Sequence, residues 1–290
     1  MYGCRAVIPR PTAPTRYRRA SPEAADWPDV SFARAADGAR IHFDVEGAGP
    51  PLVLLAGQAN SRRWWDPVRS DFTAAHRTIA IDALGTGESE SPPTAEYTTR
   101  RLAGDAIAVL DELGLDRVDV YGTSMGGKVA QWVAADHPGR VRSLVLGCTT
   151  PGGARALVAA PDVLRPLAGP AQHAERALAE LMFTPGWLRA HPGPYAVLGD
   201  RDMSTAARRG HRRASAGHDA WDALARITAP TLILHGADDL FCPTANASLL
   251  AERIPDSRSL LLEGARHAYF EEFREQAGRA VLDFLGQHRN

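Results

Sequence analysis

The chain has 290 residues, 44% of them hydrophobic, and carries a formal net charge of −1. That is enough for one large domain with an insertion, while near-neutrality argues against an overall electrostatic footprint for nucleic acid. No run of eighteen apolar residues offers a membrane span, and basic clusters at Arg5–Arg19 and Arg208–Arg213 read as solvated charge.

Cys4, Cys148 and Cys242 are odd in number and widely spaced, without C-x-x-C, so they suggest neither a disulfide framework nor a zinc site. A reducing, cytoplasmic setting fits them best. The first stretch, residues 1–27, places arginines and prolines where a secretory signal needs an unbroken apolar core, and it reads as a mobile tail.

After the tail, short runs rich in Val, Ile and Leu predict strands at Ile41–Val45, Pro51–Ala56, Thr78–Ile81, Val118–Tyr121, Val141–Leu146, Thr231–Leu234 and Ser259–Leu262. Helical patterns separate them: Leu102, Ala106, Val109, Leu110 and Leu113 recur at helical spacing, as do Ala277, Val281, Leu282 and Leu285. This alternation predicts an α/β fold, a mostly parallel sheet wound with helices on both faces. From residue 150 to 227 no strand-like run appears. Prolines and helical pieces such as "AQHAERALAELMF" predict a helical cap inserted between two parts of a core, 28–149 and 228–290.

The stretch "DVYGTSMGGKVAQ" fits two motifs. Gly122, Gly127 and Lys128 match the start of a phosphate-binding loop, but Val129 stands where a hydroxyl must hold magnesium. Gly122, Ser124 and Gly126 match G-x-S-x-G, a strand-to-helix turn so sharp that the neighbours of its serine must be very small. Such a serine needs a carboxylate and then an imidazole later in the chain. "HGADDLFCP" offers Asp238 and Asp239 just past a strand, and "LLLEGARHAYF" offers His267 on the same sheet edge. Gly85 and Gly87 also follow a strand, yet Glu90 occupies the third glycine position of a dinucleotide fingerprint, so a turn is the better reading. His235 reads as a packed, hydrogen-bonded histidine. His211 and His218 show no metal-ligand spacing.

From about residue 28 to the end, the sequence resembles the α/β-hydrolase superfamily. The elbow Gly122-Thr123-Ser124-Met125-Gly126-Gly127, the loop "DALGTGESE" with Asp82, Gly85, Gly87 and Ser89, and the spacing of Gly236, Asp239 and Pro243 carry the resemblance. It implies Asp239 as the acid, with Asp238 as the alternative, and backbone N–H groups of Gln58 and Met125 as the oxyanion hole. Ala56 replaces the histidine common before the glycine of that loop, but a backbone donor at Gln58 does not depend on it.

The expectation is a cofactor-independent serine hydrolase with no metal, acting on an ester, lactone or thioester of a small, fairly apolar acid, with neither nucleic acid nor membrane as partner. Gln58, Asn60, Trp64 and Trp65 are candidate pocket residues, one tryptophan lining it and the other in the core, and Met182, Phe183, Trp187 and Tyr195 would cover it from the cap. The same triad also serves carbon–carbon bond hydrolases and cofactor-free peroxidases in the family. A non-catalytic small-molecule receptor or scaffold is the alternative of another class.

Overall fold

A computed structural model describes residues 32–288; the tail at 1–27 and Cys4 lie outside them. Eight strands form one sheet: β1 (Phe32–Arg34), β2 (Arg40–Glu46), β3 (Pro51–Leu55), β4 (Arg77–Ile81), β5 (Val118–Thr123), β6 (Val141–Gly147), β7 (Thr231–Gly236) and β8 (Ser257–Leu262). Their order is β1-β2-β4-β3-β5-β6-β7-β8, with β1 and β2 antiparallel to their neighbours and every later pairing parallel. Each of the seven runs singled out in the sequence is a strand. β1 was not expected: it is three residues long and buries only Ala33 fully, too little for a periodic signal.

The central strands read as continuous apolar runs because both faces are covered. On β3, Val53 and Leu55 face one core with Ile79, Val120, Leu144 and Ile233, while Leu52 and Leu54 face the other with Ala80, Tyr121, Val145 and Leu232. Among the described residues the helices are, in chain order, α1 (Arg69–Thr73), α2 (Thr99–Glu112), α3 (Met125–Asp136), α4 (Pro161–Leu164), α5 (Ala171–Met182), α6 (Pro185–Ala190), α7 (Thr205–Ala216), α8 (Ala245–Arg253), α9 (Tyr269–Glu272) and α10 (Arg274–Gln287). α2, α3 and α8 bury Leu102, Val109, Val133 and Leu250 in the first core; α1 and α10 bury Phe72, Val281 and Phe284 in the second. No helix among the described residues is long and apolar enough to cross a membrane.

Between β6 and β7 the chain holds helices α4 to α7 and short 3-10 turns, with only an isolated bridge between Gly152 and Asp219. The stretch from His218 to Ile227, placed in the cap by its sequence, instead packs with the sheet's own helices. His218 Nδ1 meets Thr99 Oγ1 of α2 at 2.9 Å and its Nε2 meets Gln131 Oε1 of α3 at 3.2 Å. Ala220, Leu224 and Ile227 join the first core. Burial, with the nearby Lys128 charge, pushes the His218 imidazole down to about 3, so it is a neutral structural group at physiological pH.

One buried charge on α2 works against the fold. Asp105 accepts from Arg101 Nε at 3.1 Å, but its other carboxylate oxygen has no partner. Burial, only partly offset by Arg101, raises its carboxyl to about 7. The folded state therefore holds a proton that the unfolded chain releases near pH 4, and stability falls as pH rises from about 4 to about 7. Asp105→Asn is expected to raise Tm by roughly 5 °C at pH 8 and to change it little at pH 4.5. Thermal unfolding at the two pH values checks this; an equal shift at both would show that the carboxylate charge is not the cause.

Candidate active site

The C-terminal ends of β5, β7 and β8 deliver the three expected side chains. β5 ends in Thr123, and α3 begins at Met125, leaving Ser124 alone in the turn with φ 54° and ψ −120°. That backbone is strained for any residue with a side chain, and the surroundings hold it there. Ser124 N donates to Gly147 O on β6 at 2.8 Å, and Ser124 O accepts from Thr149 Oγ1 at 2.7 Å. A Cβ at Gly122 would sit 2.3 Å from Gly126 O, and one at Gly126 would sit 2.1 Å from Leu55 O. Both are collisions with backbone, so the G-x-S-x-G spacing is a steric requirement of this turn.

β7 carries His235 and Gly236 into the acid loop. Asp239 is buried and Asp238 is exposed. The Oδ1 of Asp239 accepts from the N–H groups of Phe241 (2.9 Å) and Cys242 (2.8 Å); its Oδ2 meets His267 Nδ1 at 2.7 Å. His235 Nε2 lies 3.4 Å from the same Oδ2 while donating to Cys242 O at 2.8 Å, which makes it the packed histidine its sequence context suggested. Burial opposes the charged form of Asp239, but electrostatic interaction with His267 and hydrogen bonds from His235 and His267 outweigh it and hold the carboxyl well below the usual carboxylate range. An ionised Asp239 accepts the Nδ1–H of His267 and so leaves the lone pair on Nε2. That nitrogen is buried and has no hydrogen-bond partner among the described residues.

Gln58 follows β3 in the loop expected to provide the other backbone donor. Gly57 is there because the Trp64 indole lies against it, where a Cβ would come within 2.7 Å of the ring. The loop is tied on several sides. Asn60 Nδ2 donates to Gln58 O at 2.9 Å, Ala59 N donates to His211 Nδ1 at 3.2 Å, and Asp200 N donates to Ala59 O at 2.7 Å. His211 Nε2 in turn donates to Leu84 O at 2.8 Å, so this histidine splices α7 to the loops after β3 and β4. Met125, at the first position of α3, presents an N–H with no intrahelical acceptor.

The "DALGTGESE" loop buttresses the same region. The buried Asp82 carboxylate accepts from Arg62 N (2.7 Å), Arg62 Nη1 (2.8 Å), Glu88 N (3.1 Å) and His42 Nδ1 (3.0 Å). Desolvation is outweighed by these donors and its carboxyl is lowered. A Cβ at Gly87 would lie 2.2 Å from Asp82 Oδ2. Gly87 therefore shapes a carboxylate-centred turn and not a nucleotide cradle.

A cavity of about 570 Å³ opens at Ser124 and is lined also by Gln58, Asn60 and Trp64. The two adjacent tryptophans divide as expected: Trp64 faces the cavity and donates from Nε1 to Thr123 Oγ1 at 2.9 Å, while Trp65 packs on Tyr121 and Phe270 in the core. Of the four cap residues, Met182 and Tyr195 line the cavity. Phe183 and Trp187 stack on one another, with centroids 6.0 Å apart, and are not part of its wall. The cap's α5 ends on the histidine loop, its Met182 O accepting from Ala268 N at 2.8 Å.

Two kinds of lining residue escaped the sequence reading. Phe241 borders the cavity and sets its ring edge-on to His267, with centroids 5.0 Å apart; its position two residues past Asp239 was the only available signal. Arg208 and Arg212, read as solvated charge, also line the cavity. Their spacing of four puts them on one face of α7. Among the described residues no group of three or more His, Cys, Asp or Glu is arranged to hold a metal ion.

The model of the alpha/beta hydrolase fold family matches residues 50–273, most of the chain. The chain belongs to the α/β hydrolases. A putative carbamate hydrolase, RutD, of Pseudomonas savastanoi pv. phaseolicola is 31% identical over 258 residues, covering 84% of this hydrolase and 97% of that protein. A pimeloyl-[acyl-carrier protein] methyl ester esterase of Aeromonas hydrophila is 29% identical, covering 83% and 97%. Among solved structures, an esterase from a Rhodococcus species superposes with a TM-score of 0.76 at 28% identity, over 89% of this chain and all of that one (100%). The Rhodococcus esterase shares the fold over its whole length, and in this hydrolase residues between β6 and β7 line part of the cavity.

Proposed function

We propose that this hydrolase cleaves a carboxylic ester, lactone or thioester through an acyl-enzyme on Ser124. The observation that carries the reading is the 2.7 Å bond between His267 Nδ1 and Asp239 Oδ2, which leaves Nε2 of the same imidazole as a buried base with no partner among the described residues. His267 takes the Ser124 proton as Oγ attacks the carbonyl carbon, and Asp239 stabilises the imidazolium that forms. The oxyanion falls to the N–H groups of Gln58 and Met125, each such donor contributing on the order of 3 kcal/mol in comparable enzymes. The imidazolium then protonates the leaving oxygen or sulfur. Water, deprotonated by the same imidazole, releases the acid. None of these steps requires a group the chain lacks.

The relatives support an acyl carbonyl as the reacting group, since one is named for methyl ester cleavage and another for carbamate hydrolysis. Carbamates therefore belong in the substrate panel beside esters, lactones and thioesters. The first test is intact mass after exposure to a fluorophosphonate. One adduct is expected on the native chain and none on Ser124→Ala. A folded native chain that stays unmodified and hydrolyses no small ester would overturn the proposal in favour of a binding role.

A further inference from the structure

The charges lining the cavity at Ser124 are unbalanced. Arg201, Arg208 and Arg212 face one carboxylate, Glu175. Arg201 sits 3.5 Å from Glu175, and both side chains are more than half exposed, so this pair neutralises little else. Arg208 donates from Nε to Met203 O at 3.2 Å and from Nη2 to Asp200 O, which fixes its position; among the described residues Nη1 has no hydrogen-bond partner and the charge meets no carboxylate. Arg212 has no hydrogen-bond or ion-pair partner among the described residues. The two arginines stand four residues apart on α7, a like-charge spacing that costs helix stability. The same lining includes the apolar side chains of Leu178, Met182, Val197, Leu198 and Phe241.

We infer that the substrate of this site is an anion: an acyl compound whose apolar chain lies along Leu178, Met182 and Phe241 and ends in a carboxylate or phosphate held by Arg208 and Arg212. The inference rests on the acyl-enzyme reading above and narrows it, replacing the fairly apolar acid expected from sequence with an amphipathic one. Guanidinium groups keep their charge at any working pH and present paired donors matched to two oxygens of such an anion. A neighbouring hollow shares Arg201, Glu175, Tyr195 and Leu198 with the cavity and adds Arg176, Arg189 and Arg266 against Glu180, so the excess of positive charge extends into it. An anion approaching from that side meets an attractive field along its path.

The test compares kcat/KM for the mono-p-nitrophenyl esters of adipic and suberic acids with p-nitrophenyl hexanoate and octanoate, and adds an ω-phosphono analogue to separate carboxylate from phosphate. The native hydrolase is expected to favour the anionic member of each pair by about tenfold or more, the scale of one charge-assisted hydrogen bond. Arg212→Gln should reduce that ratio by about tenfold through KM, with partial recovery in Arg212→Lys. Arg212 is exposed and its side chain has no bonded partner among the described residues, so this variant keeps the fold; Arg213→Gln, one position round the helix and off the cavity, should leave the ratio where it was. A native ratio of one or less, or a ratio that Arg212→Gln does not move, overturns the inference. If no ester turns over, the hydrolytic reading fails separately, and calorimetry of monomethyl suberate with Ser124→Ala decides the rest: binding that Arg212→Gln weakens supports the anion site, and no binding removes it.

Discussion

Ser124→Ala is expected to lower kcat by about a million-fold, the loss that follows removal of the nucleophile in serine proteases, while leaving substrate binding and the melting temperature near native. The fold has little to lose from this change. The backbone bonds that hold the turn use Ser124 N and O, and no hydrogen bond to its Oγ is found among the described residues. Alanine must accept the same φ of 54°, a strain serine already bears. A steady-state assay on the best ester, run beside a thermal melt, separates chemistry from folding. Residual activity above a hundredth of native would mean that another group attacks the carbonyl.

Asp239→Asn is expected to cost about 10⁴ in kcat, as the same exchange does in a serine protease of unrelated fold. The amide keeps its oxygen toward the N–H groups of Phe241 and Cys242, so the loop geometry survives. Its NH₂ then faces His267 Nδ1, forces that nitrogen to accept, and moves the imidazole proton to Nε2, where the lone pair is needed. Asp238→Asn is expected to stay within about twofold of native, since surface substitutions with no buried partner usually have small effects. Comparable losses in both variants would sink the assignment of the acid.

Much of this was readable before folding because the constraints are local. Glycine at 122 and 126 is dictated by contacts between a strand and the helix that follows it, and apolar runs such as Leu52–Leu55 are dictated by burial on both faces. The order of serine, acid and histidine along the chain could likewise be read, as each ends or follows a recognisable strand. The choice between Asp238 and Asp239 could not be made from the residues alone, because adjacent residues in a loop point in unrelated directions. The spacing shared with the family favoured Asp239; in the folded chain it is Asp239 that is bonded to His267 and Asp238 that faces solvent. The cavity wall was least legible. It combines α5, α7, a 3-10 turn and the acid loop, segments whose proximity depends on how an insertion folds back over the sheet. "RRGHRR" accordingly read as solvated charge, though one face of its helix turns inward. β1 was missed for the opposite reason, being too short to show any period at all.

The elbow and the cavity wall also differ in their mutational freedom. Around Ser124 the tight contacts run from glycine to backbone, at 2.1 Å and 2.3 Å for added carbons at Gly126 and Gly122, so variants there have nowhere to go. The rest of the cavity lining includes Leu178, Met182, Val197 and Arg212, drawn from the segment between β6 and β7. Directed evolution toward a new acyl group should therefore spend its library on those four positions. The machinery that breaks the bond can stay fixed while the recognised molecule changes.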